Sequence, residues 1–134
     1  IQNYAIDSNV TDAVGVSASF TGDNFGNGKS LYALTNTSAT ANTTSVDLGA
    51  SSTLGGQAHL HCTAHSSANI SVKIQSSADN SSFADVSGFS FTAISGTTSQ
   101  RIATTNTVNR YVRLVITVTS GSATFSVGYA HNLK

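Results

Sequence analysis

Any chemistry in this 134-residue chain has to come from a small inventory. The densest cluster is Ala58–His65, where His59, His61 and His65 alternate with Leu60, Cys62 and Ala64. Residues two apart on a strand share a face, so the three imidazoles and Thr63 would form one outward row. Imidazoles so spaced can chelate Zn²⁺ or a similar ion. His59 and His65, however, would lie roughly 20 Å apart on an extended strand, so the three cannot meet on one ion. The chain has no Glu and no nearby Asp to orient the rings. The row therefore reads as an exposed or intersubunit face, with no metal. Cys62 is the only cysteine, which excludes an internal disulfide and a Cys-based metal cluster. Parity points it inward beside Leu60, as a buried structural thiol.

Two other patterns come close to a site and fail. Gly22–Ser30 nearly matches the loop that cradles phosphate, but Asp23 stands where that loop needs Gly. The next residues, Leu31–Thr35, open into a Ser/Thr/Asn-rich stretch with no helical period, so no helix N-terminus waits for an anion. The segment reads as a surface connection exposing Phe25. A Ser-His-Asp set can always be assembled from 22 Ser, 4 His and 6 Asp, so the inventory alone is no triad. No nucleophile elbow is present, and Asp79 and Asp85 flank a Ser/Asn turn, where capping the backbone is the usual role. Arg110 and Arg113 fall on opposite faces of their strand, and with Lys73 they read as surface groups pairing with Asp79 or Asp85. The expectation is a protein that is not an enzyme and carries no cofactor.

Composition points the same way. Charged residues make up 9 % against about 25 % in ordinary domains, the formal net charge is zero, and Ser plus Thr reach roughly 30 %. A surface so poor in charge suits association. Six Lys and Arg spread along the chain make no basic patch for nucleic acid. No apolar run approaches the roughly 20 residues that span a bilayer, and nothing reads as a signal peptide. Neither nucleic acid nor membrane is expected as a partner. Sequons begin at Asn9, Asn36, Asn42, Asn69 and Asn80, as chance allows in a chain this rich in Ser and Thr.

The elements that would hold these residues are strands. In Asn109–Ala130, Val112, Leu114, Ile116 and Val118 alternate with Tyr111, Arg113, Val115 and Thr117. After Ser120–Ser122 the alternation resumes with Phe125, Val127 and Tyr129. This reads as a central hairpin. Gln57–His65 and Ile70–Gln75 read as a second one, turning at Ser66–Asn69, with Leu60, Cys62 and Ala64 facing Ile70, Val72 and Ile74 in the core. Ala13–Phe20 alternates Val14, Val16, Ala18 and Phe20 against Ser17 and Ser19. Thr35–Thr44 reads as a low-complexity surface loop. Ser45–Leu48 reads as a short strand closed by Gly49. Phe83–Val86, Phe89–Ala93 and Gln100–Thr104 are further short strands between turn clusters. Turn signals recurring every 8–12 residues, with no helical period, give an all-β antiparallel sandwich. Residues 13–134 form that domain and residues 1–12, anchored only by Tyr4, Ile6 and Val10, an N-terminal arm.

The segment Val72–Val86, the run Gln100–Ala103, the strand Asn109–Val118 and Ala123–Val127 together resemble a pattern in structural proteins of tailed bacteriophages. There a strand ends in a Ser-Ala-Asp turn, an aromatic comes next, and an Arg-Tyr-Val-Arg strand closes the sheet. Phe83 stands where many such proteins carry Trp. The resemblance spans roughly residues 57–130 and implies a virion β-sandwich, jelly-roll-like, of the capsid cement or decoration type. It implies the major capsid protein as partner, self-association as a homotrimer, assembly in the bacterial cytoplasm and a final place on the capsid surface. Tyr4, Ile6, Phe20 and Phe25 are the apolar residues expected to make the contact. The alternatives are a phage tail or fibre component and a carbohydrate-binding jelly-roll module, since Arg-Tyr-Val-Arg strands also occur in galactose-binding-like jelly rolls.

Overall fold

The structure, a computed structural model, describes residues 28–132. The arm 1–12, the strand expected over 13–20 and the residues Tyr4, Ile6, Phe20 and Phe25 lie outside the described residues. Seven antiparallel strands form a single sheet: β1 (Lys29–Thr37), β2 (Ala41–Asn42), β3 (Val46–Asp47), β4 (Gly56–Ser77), β5 (Ala84–Ser90), β6 (Thr98–Thr104) and β7 (Tyr111–His131). The described residues contain no helix. The all-β, antiparallel expectation holds.

Neither expected hairpin forms. The segments 57–75 and 111–130 each run through their turn-like middles as one strand, of 22 and 21 residues. They pair with each other from Gly56↔His131 to Ser77↔Tyr111. Leu60 and Cys62 therefore face Val127 and Phe125, and Ile70, Val72 and Ile74 face Val118, Ile116 and Leu114. Ala64, expected in the core, is exposed. Long pairing replaces two local reversals because it joins the segments along one continuous backbone ladder while keeping Leu60, Cys62, Ile70, Val72 and Ile74 opposite apolar partners.

A straight strand of this length would reach about 70 Å, too long to bury one face in a small domain. Both strands bend, at Ser66–Asn69 and at the facing Gly121. Ser67 and Gly121 sit at φ 45° and 65°, and the register slips between Ser66 and Ile70. Gly121 is required twice over, because a Cβ there would collide with the carbonyl oxygens of Ser66 and Ser67. From Cys62 to Ile70 the chain advances eight residues while β7 advances seven, Val118 to Phe125. Buried positions in β7 accordingly change from even numbers to odd (Val112, Leu114, Ile116, then Ala123, Phe125, Val127), whereas Leu60, Ile70 and Ile74 in β4 stay even.

The outer elements follow the bend. β1, β2 and β3 track β7 along its length, from Lys29↔Tyr129 to Asp47↔Tyr111. β5 and β6 track β4, joined by Phe91, whose N–H donates to Val72 O, and by the Ile70↔Ile94 bridge. Thr35–Thr37, expected in a loop, closes β1 by pairing with Phe125–Ala123. Phe83–Val86 and Phe89–Ala93, read separately, largely merge into β5, which Gly88 crosses at φ 71°.

Folding the sheet double gives two layers. One holds β1, the C-terminal half of β7, the N-terminal half of β4 and β6; the other holds β2–β3, the remaining halves and β5. Their inner faces meet where Phe89 lies edge-on to Tyr129, with ring centroids 5.9 Å apart. The core between them contains Leu60, Ile70, Ile74, Ile94, Leu114, Ile116 and Phe125, all nearly inaccessible to solvent.

Candidate functional site

The expected histidine row breaks after His61, because the register shift at Thr63 sets His65 opposite the buried Ala123 and off the outer face that holds His59 and His61. His59 and His61 project from the outer face of β4, opposite Arg101 and Ser99 of β6. His65 lies past the bulge at Thr63 and is exposed near Gly96. Among the described residues no three of His, Cys and Asp gather as a metal-binding group. Arg101 donates from Nε and Nη2 to Gln57 Oε1 at 3.1 and 2.7 Å. Cys62 is buried in the core and its thiol donates to Ala64 O. Lys29 and Ser30, the end of the phosphate-loop look-alike, open a strand.

Of the charged groups expected to pair with Asp79 or Asp85, Lys73 does so, whereas Arg110 and Arg113 take other partners. Arg110 grips Asp47 in a two-pronged contact of 2.7 and 2.8 Å and lies 5.1 Å from the Tyr111 ring centroid. That guanidinium, with the Gly49 N–H, lowers the Asp47 carboxyl to about 2. Asp79 caps its turn as expected. The N–H groups of Ser82 and Ser81 and the Ser77 hydroxyl all donate to Oδ1, and together they lower its carboxyl to about 2. Asp85 accepts from Lys73 at 2.6 Å and Gln75 at 2.7 Å, which hold its carboxyl below the usual range. Arg113 donates to Gln75 Oε1 at 3.0 and 2.8 Å and stacks on Phe83, 4.2 Å from the centroid.

His131 escaped the sequence reading because nothing near it in sequence marks it. Its Nε2–H donates to Ala50 O at 2.9 Å, so Nδ1 accepts from the Tyr129 hydroxyl at 2.7 Å. Burial raises the Tyr129 phenol well above its ordinary value. The chain Tyr129–His131–Ala50 pins the end of β7 to the segment before β4, and Ser52 adds a bond to Asn132 O. It is a half-exposed clamp that joins one stretch of chain to another.

A concavity lies elsewhere, on a flank that the described residues leave open. β5 and β6 close one side through Phe91, Ile94 and the Thr104-to-Ser87 hydrogen bond. On the other side β1 and β3 diverge around a groove of about 750 Å³, with Leu31 and Ile116 on its floor and Tyr32, Ala41 and Val46 along its walls. Thr40 and Thr43 tie its rim to β7, where their hydroxyls accept from Val118 N–H and Leu114 N–H at 2.8 and 2.9 Å. Among the described residues no charged side chain lines it. Sequence reasoning missed the groove because its wall is the Thr/Asn/Ser/Ala run that looked like a plain loop.

These features define a class: an all-β antiparallel sandwich made from one doubled sheet, with its polar groups tied to one another and one apolar flank open. No family model and no curated protein matches the sequence. Among solved structures the chain is similar to one in "Structure of infectious bursal disease virus Gx strain", with a TM-score of 0.41 and 9 % identity. The alignment covers 90 % of this chain and 38 % of that one, so this chain spans well under half that neighbour's length. The likeness is too distant to bear on function.

Proposed function

We propose that this chain is a structural protein of a virus particle, acting by binding and not by catalysis. In the narrower form of the reading it is a cement or decoration protein on a tailed-phage head, set on the major capsid protein as a homotrimer. It would bridge neighbouring capsid subunits and so raise the free energy needed to open the shell. It would be made in the bacterial cytoplasm and end on the capsid surface.

One observation carries the reading. Part of the stretch through which the sequence resembles tailed-phage proteins is tied together around Arg113: Asp79 caps its turn, Phe83 lies beneath Arg113, and Gln75 joins Arg113 to Asp85. They hold the sheet together instead of facing a ligand, which is what a building module requires. Around them lies a surface of Ser, Thr and Asn with few charges, open to close approach by another protein without the cost of stripping charges of water. Tyr4 and Ile6 in the arm, with Phe20 and Phe25 after it, are the proposed anchors. Closed rings are the common way for identical subunits to associate, and a threefold ring suits a symmetric shell.

The deciding experiment is quantitative mass spectrometry of purified particles, counting this chain against the major capsid protein. Hundreds of copies in a simple ratio support the cement role. A few copies to some tens would move the protein to the tail or a fibre. Absence from particles would refute the virion reading and leave carbohydrate binding to be tested on a glycan array.

A further inference from the structure

Among the described residues β1 is the outermost strand of its layer, nine residues long and hydrogen-bonded on one side only, to β7. Edge strands of this length are normally shortened, charged or covered, because their free N–H and C=O groups recruit other chains. β1 carries a single charge, Lys29 at its start, and exposes Leu34 at 58 % beside Ala33. Its inner side borders the groove floored by Leu31 and Ile116. A strand added at this edge would turn one face over the groove and the other to solvent.

The sequence immediately before β1 has that pattern. Ala13–Phe20 alternates Val14, Val16, Ala18 and Phe20 with Gly15, Ser17 and Ser19. At about 3.3 Å per residue it spans about 26 Å, against about 30 Å for β1. The eight residues from Thr21 to Gly28 between them include Gly22, Gly26 and Gly28 with Asn24 and Asn27, the residue types that reverse a chain. Antiparallel pairing sets Phe20 near Lys29 and Ala13 near Thr37.

We propose that the groove and the free edge of β1 are the docking slot for Ala13–Phe20 of the same chain, which adds as an antiparallel strand and seats Val14, Val16, Ala18 and Phe20 between the layers. Phe20 then serves the protein's own core and not the shell. Residues 1–12 leave the domain at its bend, beside Thr37, which on the particle reading is where the arm sets out. The slot itself does not depend on that reading.

Hydrogen exchange of the full chain, monitored by mass spectrometry, tests the slot. The alternate β1 amides that do not bond to β7 should exchange more than about tenfold slower than unstructured chain, and Val16→Asp should release them while β4 and β7 stay protected. Free exchange of those amides in the unaltered chain would overturn the proposal, as would protection that Val16→Asp leaves intact. Ser17→Cys with Ala33→Cys, bridged by a short bis-maleimide, settles whose strand it is. A cross-link within one chain is the expected product. A cross-linked dimer would mean that a second copy fills the groove, and would overturn the assignment to the same chain. Particle counting is independent of both measurements, so either conclusion can fail alone.

Discussion

Replacing Gly121 with Ala probes the bend on which the doubled sheet depends. At φ 65° an L side chain costs about 1–2 kcal/mol. The new Cβ would also strike the Ser66 and Ser67 carbonyl oxygens, which are backbone atoms of the facing strand and cannot swing aside. Parting the strands to relieve the clash adds about 1–3 kcal/mol, for a total of about 2–5 kcal/mol, a large share of the roughly 5–15 kcal/mol that holds a domain together. Gly49→Ala is the control. Gly49 sits at φ 83° with nothing within 4 Å of its would-be Cβ, so only the backbone cost of about 1–2 kcal/mol applies. In urea, with a slope of about 1.5 kcal/mol per molar, a loss of about 3 kcal/mol lowers the midpoint by about 2 M for Gly121→Ala. Were Gly121 the tip of a hairpin, as its Ser120–Ser122 setting reads, Ala would cost no more there than at Gly49. Equal midpoints for the two variants would refute the continuous strand.

Three further outcomes are expected. Asp47 and Asp79 have carboxyls lowered from 3.8 to about 2 and Asp85 is lowered as well, so each ionised form favours the folded state. Their contribution is complete above the unfolded value near 4 and is lost as pH falls towards about 2. Thermal midpoints measured across that window should fall, and should fall less steeply in Asp47→Asn and Asp79→Asn. Arg113→Ala should cost about 1–2 kcal/mol in urea unfolding through the lost Phe83 stacking and Gln75 bonds, and Arg113→Lys should recover little because it lacks the planar fork. Deleting residues 1–12 should abolish attachment to particles, measured by co-sedimentation, and leave the circular dichroism of the domain unchanged; attachment that survives would refute the arm as the anchor.

Alternation was legible because it is local. Each of Leu60, Cys62, Ile70, Val72, Leu114, Ile116, Phe125 and Val127 is buried where period 2 places it. Pairing was not, because alternation states which face of a strand is inward and is silent on the neighbour. Ser66–Asn69 and Ser120–Ser122 carry the small residues of a tight turn, and the left-handed conformations of Ser67 and Gly121 occur in turns and in bulges alike. A local reversal closes a shorter loop, so it is the natural reading of such a segment. What favours the other solution is the whole sheet. Two self-paired hairpins would each need fresh partners for their outer edges, whereas with β4 paired to β7 only the two outermost tracks are unpaired on one side among the described residues.

The cap at Asp79 and the Lys73–Asp85 pair were legible because they are local, but the long-range polar contacts were illegible for the same reason as the strand pairing. Arg110 meets Asp47 across 63 positions and Arg113 meets Gln75 across 38, distances that no spacing rule reaches. Nearness in sequence favoured Asp79 and Asp85 as partners for Arg110 and Arg113, but Asp79 is already saturated by its own turn and Asp85 by Lys73 and Gln75. Thr35–Thr37 shows the converse. Its side chains carry no strand signal, yet it pairs with Ala123–Phe125, because a ladder is made by backbone groups that every residue but Pro possesses, and this chain contains no Pro. A low-complexity run beside an edge in need of partners is therefore drawn into the sheet by its neighbours. The same reasoning makes the side of β1 that is unpaired among the described residues the place where one more strand is wanted.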